Sequence, residues 1–170
     1  NRWSPIRMNT FWPGSDVVAP WQVNVYSFAI APSNSNILVC ATEPGGIFRT
    51  TDKGANWVQI GMDYELGSEA LAIHPTNPAT IYITTNGAIR KTTDAGATWS
   101  TIFTLADMWC YRIEILPTDP NLIVAATNKG IIRTTDGGVT WKTTLDAASS
   151  DVAIHPTTPS IIYALGYNEG

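Results

Sequence analysis

The residues of this 170-residue chain that could do chemistry are carboxylates and aromatic rings in tight or clustered arrays. Asp52, Asp94 and Asp136 each stand among threonine, glycine and tryptophan, in "TTDKGANW", "TTDAGATW" and "TTDGGVTW". A carboxylate so placed could act as a general acid or base, but such work needs one pair in one place. These three recur at a fixed 42-residue step, which argues for a structural device used three times. Arg49, Lys91 and Arg133, each three residues before the aspartate, share that reading, as do His74 and His155 in the repeated phrase "AIHP".

Chemistry should therefore lie where the repeat breaks. Residues 9–22, "NTFWPGSDVVAPWQ", have no counterpart elsewhere and bring Phe11, Trp12 and Trp21 into one loop. Rings like these stack on sugars or anchor a partner, although a lid packed over the domain is the plainer reading. The loop "GMDYELGSE" carries Asp63, Tyr64, Glu65 and Glu69, and "LADMW" carries Asp107 and Trp109. Acidic groups beside aromatics suit a carbohydrate cleft and equally an ordinary solvated loop. Asp63 and Glu65 could offer oxygens to a cation. No calcium-loop spacing or histidine cluster supports a metal, and no cofactor is implied. Arg112 and Glu114, two apart and so on one side of a strand, replace the serine, alanines and aspartate found at the matching positions of the other units. They suit either a ligand or an ion pair between units, the latter being the plainer reading.

The elements that position these residues follow from the repeat. A second marker runs in step with the first: "FAIAP", "LAIHP", "IEILP" and "VAIHP", ending at Pro32, Pro75, Pro117 and Pro156. Each unit reads as four strands: the segment closed by proline, a β-branched run, a strand after a glycine turn, and a strand opening at the tryptophan. A period of 40 to 45 residues with turn signals is that of a β-propeller blade. The expectation is an all-β propeller of four-stranded antiparallel blades: an outer strand over 1–8, blades at 23–60, 68–103 and 109–145, and half a blade over 149–170. That inventory leads us to expect the N-terminal part of a larger propeller, with the remainder of that propeller as its first partner.

Bulk properties narrow the partners. The charged fraction is 14% and the net charge −4, with no basic run, so a nucleic-acid partner is not expected. No stretch approaches the ~20 apolar residues of a membrane span. Cys40 and Cys110 fall in different units and read as buried thiols.

Thr50, Asp52, Gly54, Asn56 and Trp57 resemble the Asp box, as do Thr92, Asp94, Gly96, Thr98 and Trp99, and Thr134, Asp136, Gly138, Thr140 and Trp141. The chain resembles the BNR/Asp-box propellers: sialidases, sortilin-type (VPS10) propellers and xyloglucanase-like glycosidases. "ATEPGGIFRT" is similar to a stretch of the last group, with Glu43 where that family has a catalytic aspartate. The resemblance would make Glu43 one member of a carboxylate pair. Low charge and Thr/Asn/Gly-rich phrasing look like sortilin-like propellers exported by Bacteroidota through a type IX route. The expectation is a secreted or cell-surface platform binding protein or glycan. A β-glucan hydrolase and a structural subunit of a surface assembly are the alternatives.

Overall fold

In the computed structural model the described residues are 24–43, 46–61 and 70–166. β-Branched runs and short glycine turns give three antiparallel sheets of four strands and one of two, each ordered as the chain runs. The first holds β1 (Asn24–Ile30), β2 (Leu38–Glu43), β3 (Gly46–Thr50) and β4 (Val58–Gly61). The second holds β5 (Leu71–Ile73), β6 (Ile81–Thr85), β7 (Ala88–Thr92) and β8 (Ser100–Thr104). The third holds β9 (Cys110–Ile115), β10 (Ile123–Thr127), β11 (Gly130–Thr134) and β12 (Lys142–Leu145). The fourth pairs β13 (Ser149–Ile154) with β14 (Ile162–Gly166). No helix occurs among the described residues. The fold is that of a β-propeller, met here as an arc of successive blades.

Three apolar layers separate the sheets. Ala31, Val39 and Ile47 of the first meet Leu71, Ile73 and Ile81 of the second. Tyr82 and Ile89 of the second meet Ile113, Ile123 and Ile132 of the third. Val124 and Ile131 of the third meet Val152 and Ile154 of the fourth. Residues 38–42 of β2, and β6 and β10 throughout, are buried on both faces and so carry no charged residue.

Each outer strand begins one residue after the tryptophan expected to open it, at Val58, Ser100 and Lys142. The tryptophan instead closes the turn before the strand. Cys40 and Cys110 are free and buried, and burial pushes the Cys40 thiol up to about 12 against a backbone N–H from Phe48.

Candidate functional site: the inner-strand cavity

The three Asp boxes share one hydrogen-bond pattern. Thr92 Oγ1 donates to Asp94 Oδ1 (2.7 Å) while accepting from the amides of Asp94 (3.3 Å) and Gly96 (3.0 Å). Asp94 Oδ1 also accepts from Thr98 N (2.9 Å), and Oδ2 from the Thr98 hydroxyl (2.6 Å). In this box the threonine hydroxyl accepts two backbone amides and the aspartate one. The first box repeats the pattern with Thr50, Asp52 and Gly54, Asn56 Nδ2 reaching Asp52 Oδ2 at 2.7 Å in place of a threonine hydroxyl. The third repeats it with Thr134, Asp136, Gly138 and Thr140. These donors hold Asp52 at about 2, Thr50 contributing most, and Asp94 at about 2, Thr98 contributing most. Asp136 also lies well below the usual carboxylate range, chiefly through Thr134. Carboxylates this strongly held as anions are poor proton donors and have their lone pairs occupied.

Each box is also tied to its own sheet's first turn. Lys53 N donates to Asn36 O, Ala95 N to Ala79 O and Gly137 N to Asn121 O, at 2.9–3.1 Å. Contacts between sheets complete the frame. Trp99 Nε1 donates to Ile60 O of the first sheet (2.8 Å). Tyr82 Oη (3.3 Å) and Lys91 Nζ (3.0 Å) both donate to Gly137 O in the third sheet's box. Lys91 also sits over the Tyr82 ring, 5.2 Å from its centroid. Trp99 and Trp141 therefore do more than fill their own blade, because adjacent sheets pack face to face and bring the preceding outer strand under the second and third boxes.

At the other edge of the sheets, the inner strands β1, β5 and β9 line a cavity of about 450 Å³. Its first wall carries Tyr26 and Phe28, its second the small Ala70 and Ala72, and its third Tyr111, Arg112 and Glu114. Phe28 is 46% and Tyr111 36% exposed, which is high for rings on strands. Arg112 Nε faces Asp151 Oδ1 of β13 at 3.8 Å, with both side chains more than half exposed. Glu114 Oε2 accepts the Ile154 amide of β13 at 3.2 Å. Burial raises the Glu114 carboxyl; the Ile154 N–H and Arg112 oppose the rise, and Asp151 adds to it. Between the first and second sheets the matching contact is neutral, Leu71 N donating to Ser27 Oγ at 3.1 Å.

Arg112 and Glu114 thus share the cavity wall while both reach toward the fourth sheet. Trp109 is exposed on the loop before β9, its amide bound to Asn128 Oδ1 (2.8 Å), and it does not line the cavity. Asn128 Nδ2 also holds Asp107 O, where the chain takes a φ of 55°. Glu43 ends β2 with its backbone opposite Asn24. Trp12, Trp21, Asp63 and Tyr64 lie outside the described residues. Tyr26, Phe28 and Tyr111 were missed from sequence. Tyr26 and Tyr111 both stand six residues before their strand-closing prolines, just upstream of the aligned phrase. Among the described residues no cluster of His, Cys, Asp and Glu could hold a metal, and no helix is long and apolar enough to cross a membrane.

A family model described as the photosynthesis system II assembly factor YCF48 matches residues 9–107. The chain belongs to this family. No curated protein matches it. Among solved structures, that of YCF48 bound to D1 peptide shares 16% identity at a TM-score of 0.59, over 91% of this chain and 52% of that one. An ancestral GH74 enzyme shares 18% identity at 0.69, over 82% and 21%. The extracellular domain of a one-component system from B. thetaiotaomicron shares 12% at 0.63, over 84% and 20%. This YCF48-family chain therefore spans between a fifth and about half of the proteins it resembles, and at such identities the likeness speaks for the propeller alone.

Proposed function

We propose that this YCF48-family chain is a protein-binding platform whose inner-strand cavity seats an extended segment of a partner. The observation that carries this reading is the cavity wall itself: half-exposed Tyr26, Phe28 and Tyr111 beside charged Arg112 and Glu114, which stand where β1 and the second unit carry Ser27, Ala29, Ala70 and Ala72. Aromatic anchors with a few placed charges are the usual makings of a peptide seat. The family relationship supports it, because YCF48 itself is seen bound to a peptide. The same reading places the chain at the cell surface or outside the cell, as a sortilin-like propeller exported by a type IX route. Its low charged fraction of 14%, with polarity carried by Thr, Asn and Gly, supports that placement.

Hydrolysis is the weaker reading. Glu114, which lines the cavity, and Asp151, which faces its Arg112 from β13, are engaged by the Ile154 amide and by Arg112 with the Val152 amide. They serve as acceptors between sheets rather than as an acid facing a nucleophile.

Panning a displayed library of linear peptides against the chain tests the proposal. Enriched peptides should lose about tenfold or more in affinity on Phe28→Ser and on Arg112→Glu, and nothing on Val139→Ser at the exposed third box. Peptides indifferent to both cavity substitutions would sink the proposal. So would retention of the chain in an immobilised β-glucan gel with no peptide enriched, which would favour a glycan.

A further inference from the structure

The inner strands differ in what meets their free edges. Residues of an antiparallel pair alternate between bonding the partner strand and turning their N–H and C=O away from it. His74, Leu116 and His155 each donate to the residue just before the second strand of their sheet, at Thr80, Leu122 and Ile161. Stepping back along the registers, the outward groups belong to Leu71 and Ile73 on β5, Ile113 and Ile115 on β9, and Val152 and Ile154 on β13.

Side chains close some of these amides. Ser27 Oγ accepts from Leu71 N (3.1 Å), Glu114 Oε2 from Ile154 N (3.2 Å) and Asp151 Oδ1 from Val152 N (2.9 Å). β13 is therefore closed at both positions and β5 at one. β9 is open at both, since among the described residues none accepts from Ile113 N or Ile115 N.

Two alanines account for the opening. Aligned on the closing prolines, Ser27 falls with Ala70 and Glu114 with Ala72. β5 thus offers methyl groups where β1 and β9 offer acceptors to the strand after them. Ala70 and Ala72 pack toward the third sheet, and with Ile113 and Ile115 they line the cavity. Enclosed amides are nearly always paired, with protein, water or a ligand. Two outward N–H groups two residues apart, each with its own carbonyl, have the spacing that an added strand bonds.

We propose that the partner's segment, on the peptide-binding reading above, is held by its backbone along the free edge of β9, bonding to the main chain of Ile113 and Ile115. Ala70 and Ala72 are the residues that keep this edge open. Alternate side chains of the segment turn toward β5, where the alanines leave them room. The occupant is an extended polypeptide, because a glycan has no row of donors and acceptors at strand spacing.

Peptides enriched by panning against the chain are the probe. N-methylation at successive positions of such a peptide should weaken binding about tenfold or more at alternate residues and little at those between. Ala70→Ser with Ala72→Glu restores the hydroxyl and carboxylate found at Ser27 and Glu114. That pair should close the edge and cut affinity about tenfold or more, although Phe28 and Arg112 remain. Ala70→Ser alone keeps the test decisive should the double variant fail to fold. Bound peptide should slow hydrogen exchange at the Ile113 and Ile115 amides and leave Leu71 and Ile154 unchanged. An N-methylation profile without alternation, or full affinity in both variants, would overturn this inference; the peptide-binding reading would survive if Phe28→Ser still weakened binding. Enrichment of no peptide at all would overturn both together.

Discussion

Trp99 and Ile60 belong to different sheets, yet the indole nitrogen of one lies 2.8 Å from the carbonyl of the other. The bond joins the turn that fastens the second sheet to the outer strand of the first. Trp99→Phe keeps the ring and loses the bond, so it should cost about 1 kcal/mol, or more if Ile60 O finds no water. Trp99→Ala removes the ring as well and should cost about 3 kcal/mol or more. Gly96→Ala should cost about 2 kcal/mol or more, because its Cβ would meet Ile60 at 2.5 Å and its φ is 99°. Urea unfolding curves of the three variants give the ranking.

One position earlier the effect reverses. Ala95 holds a φ of 61°, in the left-handed region that Gly137 occupies at the same place in the third box. Ala95→Gly should raise stability by up to about 1 kcal/mol, the released strain outweighing the extra freedom of glycine in the unfolded chain. A lower denaturation midpoint would show that the turn is not strained there.

The box aspartates set the response to acid. Their folded pKa values are depressed, Asp52 and Asp94 to about 2 from 3.8. The stability they contribute is therefore present in full above the unfolded value and is lost as pH falls through about 2. Thr98→Val removes the largest donor to Asp94 and should move that carboxyl back toward 3.8, with Asp52 unchanged. Carboxyl chemical shifts followed against pH separate the two residues.

A second pH effect sits at the turn between β5 and β6. His74 Nδ1 accepts from the amides of Thr76 (3.3 Å) and Asn77 (3.1 Å), a role that the protonated ring cannot fill. Burial first, and then Lys91, lowers the folded pKa below 6.5. The contribution is complete above the unfolded value and is lost as pH falls from there through the folded one. His74→Asn, whose side-chain oxygen can take the Nδ1 position, should flatten the stability profile as pH falls below the unfolded histidine value of about 6.5. An unchanged slope would assign the loss to other groups.

The sequence shows the box well because its bonds are local. Thr92, Asp94, Gly96 and Thr98 satisfy one another within seven residues, so spacing alone predicts the turn. Asn56 is also readable, since its amide can donate where a threonine hydroxyl would. The cavity was half legible. Arg112 and Glu114 stand out against Ser27, Ala29, Ala70 and Ala72, but their partners lie on a strand some 40 residues away. Arg112 and Asp151 fall in the same column of the repeat, and matching columns of adjacent blades are neighbours in space. Tyr26 and Tyr111 escaped notice because strand registers extend past the phrase that defines the repeat. The reach of Trp99 to Ile60 escaped because a turn that satisfies itself gives no sign of leaning on another sheet.

The carbonyl of Gly137 takes two donors, Tyr82 and Lys91, from the sheet before it, while Trp99 of that same sheet leans back on Ile60. The second sheet is thus riveted on both flanks, forward through its polar side chains and backward through its indole. A crack cannot open along one flank without loading the other. Under a pulling force the arc should yield as a chain of interlocked plates, several giving way together, rather than shedding blades one at a time.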